Sequence, residues 1–154
     1  IAAARGAEVT GVASTRNLDF VRDLGADHVI DYTQDEVTGR YDVIIDIAGN
    51  RSIRELRRAL TKTGTAVIVG GSGGRVTMGF GRTIRATLVS PFVSQRFTAL
   101  ISKPNQADLE VLADLVRSGD LTPRVEATFP FAAAPEAIES VGAGRSRGKT
   151  VVTV

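Results

Sequence analysis

"EVTGVASTRNLDFVRDLGADHVIDY", residues 8–32, decides the fold class. The apolar run Val9–Ala13 stops abruptly at Ser14-Thr15-Arg16-Asn17. Leu18, Val21 and Leu24 follow at helical spacing, and Gly25 supplies a stop signal. A second apolar strand, His28 to Tyr32, then begins. Strand, loop, helix and strand in this order predict a βαβ unit, in which the helix carries the chain back so that the two strands run parallel.

The same rhythm continues. "TQDEVTGR" (33–40) is a polar loop. "YDVIIDIAG" (41–49) is nearly continuous in apolar residues, as expected for a strand covered by helices on both faces. "SIRELRRAL" (52–60) places Ile53, Leu56 and Leu60 on one helical face, and "GTAVIVGG" (64–71) reads as a fourth strand. The alternation predicts an α/β fold with a doubly wound parallel sheet.

After Gly71 the pattern changes. Residues 71–97 are glycine-rich and then mixed, which predicts a loop and a short helix, and "TALIS" (98–102) reads as an edge strand. "NQADLEVLADLVRSGD" (105–120) is an amphipathic helix with Leu109, Leu112, Leu115 and Val116 on one face and Gly119 at its end. "TPRVEATFPF" (122–131) alternates like an antiparallel strand. "APEAIESVGAG" (134–144) is a short helix with Pro135 near its first turn, and "GKTVVTV" (148–154) is a last strand. At the other end, "IAAARGAEV" reads as the last turns of a helix stopped at Gly6. A domain seldom begins at the end of a helix, so the expectation is a piece of a longer protein.

Composition narrows the function classes. The 154 residues suffice for one domain, with 43% hydrophobic and 23% charged residues, an ordinary soluble balance. No apolar run approaches the ~18 residues of a membrane span. The net charge of +2 and the 5% aromatic content argue against a nucleic-acid partner that binds by base stacking. The absence of cysteine rules out disulfides and thiolate chemistry and fits a cytoplasmic protein. With one histidine besides, this chain cannot build a Cys/His zinc site.

Three stretches now point the same way. "ARGAEVTGV" leads a helix end into a strand, "LGADHVIDY" follows at the proper distance, and the chain closes on "GDLTPRVEATFPFAAAPEAIESVGAGRSRGKTVVTV". Together they resemble the C-terminal portion of a medium-chain dehydrogenase/reductase, closest to its zinc-independent quinone-oxidoreductase-like branch. The resemblance covers essentially the whole chain. It implies a Rossmann-type sheet over residues 1–120, lacking its first strand and glycine-rich turn. It also implies a segment, 121–154, that belongs to a GroES-like catalytic domain not present here. In the usual strand order that first strand is central, so the strands at Val9–Ala13 and Val43–Ile47 are expected to lose their common neighbour. The glycine runs at Gly70–Gly74 and Gly142–Gly144 do not replace the missing turn.

The resemblance also implies an NADP(H)-dependent oxidoreductase. It would transfer hydride to a quinone, enone or carbonyl compound, a small-molecule substrate. Ser14, Thr15 and Arg16 sit where the second strand of such a sheet delivers its loop to the adenosine ribose. An acid there would bond the 2′-hydroxyl and repel a 2′-phosphate. Hydroxyls and a guanidinium suit a phosphate dianion instead. The competing reading is a helix start, with Ser14 or Thr15 as its cap. By the resemblance Tyr32 lies near the 2′-phosphate, Asn50 near the adenine–ribose side, and Val69, Gly70 and Gly71 against the nicotinamide, with Phe97–Leu100 completing that pocket. A basic residue among Arg145, Arg147 and Lys149 reaches the cofactor phosphates. Asp42 and Asp46, four apart on a strand, lie too far from each other to share a proton, and no residue here takes a proton-transfer role. The strand near Ala99–Ser102 offers an edge for a homodimer. Other readings stay open: a nucleotide-binding module without catalysis, a zinc-type alcohol dehydrogenase relative, a methyltransferase, or a chain inactive by itself.

Overall fold

The structure, a computed structural model, describes residues 1–47, 51–69, 94–100, 103–144 and 146–154. Expectations for Asn50, Gly70, Gly71 and Arg145, for the loop and helix after Gly71, and for Ile101–Ser102 lie outside these residues. The described chain forms two compact units: Ile1–Glu36 with Pro104–Val154, and Val37–Lys103. Among the described residues no helix is long and apolar enough to cross a membrane.

In the first unit, β1 (Thr10–Ala13) and β2 (His28–Asp31) pair in parallel, with Thr10 opposite His28 and Ala13 opposite Asp31. The crossover is α1 (Leu18–Asp23), entered through a 3-10 turn at Thr15–Asn17. Gly11 is what lets α1 lie close on β1. A Cβ there would come within 2.3 Å of Val21 Cγ1. The chain before β1 is a 3-10 turn, Ala3–Arg5, closed by Gly6 at φ 78°, as the glycine stop predicts.

The unit's other strands, β6 (Val125–Pro130) and β7 (Lys149–Thr153), form a second two-stranded sheet. The sequence alternation suggested an antiparallel β6, but the pair is parallel, with Thr128 opposite Val151. The reason is the connection. A 3-10 turn at Phe131–Ala133 and α4 (Ala134–Gly142) form a crossover that returns the chain to the starting end. Alternation reports only that one face of β6 is covered: Ala127 and Phe129 are half-buried while their neighbours are exposed. Between the sheets in sequence lies α3 (Gln106–Ser118), capped by Asn105, whose side chain accepts the Asp108 N–H. It ends on Gly119 at φ 84°.

In the second unit, β3 (Tyr41–Asp46), β4 (Leu60–Ile68) and β5 (Arg96–Ala99) form a parallel sheet in that order. Its helix α2 (Ile53–Ala59) begins with a reciprocal cap. The Ser52 hydroxyl accepts the Glu55 N–H, and the Glu55 carboxylate accepts the Ser52 N–H at 2.7 Å. The helix ends one residue earlier than its apolar spacing suggests. Leu60 already pairs with Tyr41 as strand, before a register shift that resumes at Val43 and Thr65. Leu60 still joins the core, with Leu56, Ala66, Ile68 and Phe97, against which Ile44 and Ile53 pack. That core covers one face of the sheet. Val43 and Ile45 on β3, and Ile47 just after it, are 59, 60 and 71% exposed, so the described residues cover one side of β3 where its apolar run suggested two.

Candidate functional site

The parallel register of β1 and β2 brings two loops to one end of the sheet. Ala13 and Asp31 are opposite each other, and the Tyr32 N–H donates to Ala13 O at 3.1 Å. Residues 14–17 and 32–35 are therefore neighbours at the carboxyl ends of their strands, where open α/β sheets bind ligands.

The organising group is Asp31. Its side chain is buried, 6% exposed, between the loops. One oxygen, Oδ2, accepts the Thr15 hydroxyl at 2.5 Å and the Gln34 amide at 3.0 Å. The other, Oδ1, accepts the Thr33 N–H at 2.9 Å and the Thr33 hydroxyl at 2.6 Å. Bonds to the ionised form favour it. The Thr15 hydroxyl first, then that of Thr33, hold the Asp31 carboxyl below the usual carboxylate range.

This arrangement divides the residues expected to meet a phosphate. Thr15 has one hydroxyl proton, and it goes to Asp31. Ser14 differs. Its oxygen accepts the Asn17 amide at 3.5 Å, which leaves its own proton free to turn outward. Ser14 stands in extended backbone before the 3-10 turn, yet its side chain makes no capping bond, and Thr15 is not a cap either. Arg16 is exposed and makes no hydrogen bond or ion pair among the described residues. Tyr32 is half-exposed at the start of the facing loop. Ser14, Thr15, Arg16 and Tyr32 thus come together as one patch.

The remaining candidates stand elsewhere. Val69 follows β4 in the second unit, its N–H donating to Asp46 O at 3.0 Å. Arg147 and Lys149 lie just before and at the start of β7. The Arg147 N–H donates to the Glu126 carboxylate at 2.6 Å, and both side chains are exposed. Asp31, Thr33 and Gln34 were not anticipated from the sequence. The signal was there in "DYTQ": an Asp whose carboxylate accepts the N–H two residues on is an Asx turn.

Comparison with known proteins bears on this architecture directly. A family model described as zinc-binding dehydrogenase matches residues 24–152. The chain belongs to this family. A curated relative of this chain is the mouse protein named NAD(P)H oxidoreductase RTN4IP1, mitochondrial. It is 32% identical over 168 residues, covering 97% of this chain and 42% of the relative. An Arabidopsis thaliana chloroplast envelope quinone oxidoreductase homolog is 25% identical, over 95% of this chain and 45% of its own length. Among solved structures, the quinone oxidoreductase from Coxiella burnetii superposes with a TM-score of 0.79 at 27% identity, covering 99% of this chain and 47% of that one. The chain spans less than half the length of these relatives.

The family name implies zinc, and the residues of this chain do not fit it. There is no cysteine, and the one histidine, His28, is exposed and faces the Glu8 carboxylate at 2.8 Å. Among the described residues no group of three or more His, Cys, Asp or Glu side chains is placed to hold a metal ion. The β1–β2 end offers instead an exposed cation, a hydroxyl and an aromatic side by side, a set that suits an anionic group.

Proposed function

We propose that this chain is the nucleotide-binding part of an NADP(H)-dependent oxidoreductase acting on a quinone, enone or carbonyl compound. The observation that carries the nucleotide preference is Arg16, exposed and unpaired among the described residues, beside the Ser14 hydroxyl at the carboxyl end of β1. No acid stands on that loop to bind a ribose 2′-hydroxyl. Arg16 supplies a charge-assisted bond to the 2′-phosphate, Ser14 a hydroxyl donor, and Tyr32 a flank. Val69, Gly70 and Gly71 approach the nicotinamide, Asn50 the adenosine, and Arg147 or Lys149 the pyrophosphate side.

When bound, the nicotinamide supplies the hydride; the residues of this chain bind and orient it. Residues 1–120 form the nucleotide half, and 121–154 belong with a catalytic domain that shapes the substrate cleft. The partners are a small-molecule substrate and, through the edge of β5 near Ala99–Ser102, a second copy of the protein. The family relationship and the relatives' names support the reaction class.

Titration of the intact protein with NADPH and NADH tests the reading. A charge-assisted bond contributes about 1.5–3 kcal/mol, so Arg16→Ala should weaken NADPH by a factor of roughly 10 to 150 and leave NADH nearly unchanged. Ser14→Asp should go further, adding repulsion against the phosphate and an acceptor for the ribose hydroxyl. A wild type that prefers NADH, or an Arg16→Ala variant that weakens both nucleotides equally, contradicts the reading.

A further inference from the structure

We propose that Asp31 sets the nucleotide preference of the β1–β2 loops by taking the hydroxyl protons of both Thr15 and Thr33. The inference deepens the reading of this patch as a 2′-phosphate site and rests on it.

The geometry is as follows. Four donors converge on one buried carboxylate, two on each oxygen. Two of them are hydroxyls with a single proton each. With both protons turned inward, the 3.1 Å approach of Thr15 Oγ1 to Thr33 Oγ1 places two acceptor oxygens side by side on the exposed loop surface. Acceptor oxygens suit the hydroxyls of an unmodified ribose and oppose a phosphate dianion. The carboxylate behind them adds negative charge in the same place. Arg16 and the Ser14 proton pull the other way. The loop is thus balanced, with Asp31 limiting the preference for NADPH that Arg16 creates. Asp31 is a positioning residue, since it acts through the two threonines.

Asp31→Asn separates this role from simple scaffolding. The Thr33 N–H is a fixed donor and keeps the amide oxygen of the new side chain on its side. The amide nitrogen then faces Thr15, which must accept from it, and the Thr15 proton is freed from the carboxylate to turn to Thr33 Oγ1 at 3.1 Å or to a bound phosphate. Gln34 can rotate its amide to present oxygen. The loops stay tied, while one hydroxyl changes from acceptor to donor and one negative charge disappears.

The test is paired binding titration of NADPH and NADH, read by nicotinamide fluorescence, with the intact protein and two variants. Asp31→Asn should raise the ratio of NADPH to NADH affinity on the order of tenfold, the effect of one gained bond to a charged group. Thr15→Val removes one of the two outward acceptor oxygens, so it should also raise that ratio, by roughly two- to tenfold. An unchanged or lowered ratio in Asp31→Asn overturns the inference, as does an unchanged or lowered ratio in Thr15→Val. If Asp31→Asn does not fold, Thr15→Val decides alone. Arg16→Ala keeps the two levels apart. A selective NADPH loss there with an unchanged ratio in Asp31→Asn defeats only the role of Asp31, whereas no selective loss defeats the phosphate site itself.

Discussion

Asp31 ties together two loops that are far apart in sequence, and its ionisation should be visible in the pH dependence of stability. Its carboxyl is held below its ordinary value, about 3.9, by the Thr15 and Thr33 hydroxyls and the other donors. A depressed native pKa means that the unfolded chain takes up the proton first as pH falls. The stabilisation from Asp31 is therefore complete above about pH 3.9 and is lost as pH falls through the lower native value. Urea midpoints measured between neutral pH and pH 3 should fall more steeply for wild type than for Asp31→Asn. Parallel curves would show that the carboxylate is not held in this way. At this scale the sequence was informative about where β1 gives way to its loop, after Ala13, because an abrupt polar stop after an apolar strand is a local feature. It was silent on Asp31. That role needs Ala13 and Asp31 opposite each other, and so depends on a register set by long-range pairing. For the same reason Thr15 could be read as an outward donor, when its proton is claimed by a residue sixteen positions away.

Elements were the most legible scale. Five of the strands and all four described helices fall where the periodicity of apolar residues puts them, to within a few residues, and the parallel β1–α1–β2 unit follows from that order. The misreadings have a common cause, the influence of neighbours that sequence spacing does not contain. Leu60 fits a helical face but is recruited into β4 by pairing with Tyr41. Residues 125–130 alternate, yet run parallel to β7 because α4 intervenes. The C-terminal end of α2 is tied by side chains from outside the helix. Arg40 donates to Arg58 O at 2.6 Å and to Leu60 O at 3.1 Å, and Gln95 donates to Arg57 O at 2.9 Å. The most exacting contact between elements is the one at Gly11. Gly11→Ala would drive a methyl into Val21 and push α1 away from β1. Overpacking of this kind costs about 1–3 kcal/mol, so the urea midpoint should drop accordingly. Because the displaced helix carries the 14–17 loop, NADPH affinity should fall with it. A variant as stable as wild type would mean that α1 does not rest on β1 at this point.

On the scale of the molecule, the described strands form three separate parallel sheets, β1-β2, β3-β4-β5 and β6-β7. The outer edges of β1 and β3 pair with nothing among the described residues, and β3 exposes Val43 and Ile45, with Ile47 just beyond it. Unpaired edges beside apolar surface invite association. The 154-residue chain by itself should melt early, or with a midpoint that shifts with concentration. A sharp, concentration-independent melt at high temperature would contradict this. The parallel α/β class was legible in advance, since strands and helices alternate along the chain. The substrate was not, since no residue of this sequence was read as touching it. The central claim, that the patch of Ser14, Arg16 and Tyr32 holds a 2′-phosphate, is tested most directly with the adenosine end of the cofactor as ligand. Calorimetric titration of the intact protein with adenosine 2′,5′-bisphosphate and with adenosine 5′-monophosphate compares ligands that differ only in that group. The bisphosphate should bind at least about tenfold more tightly at low ionic strength, with the difference shrinking as salt screens the exposed loop. Equal affinities at low salt would contradict the claim.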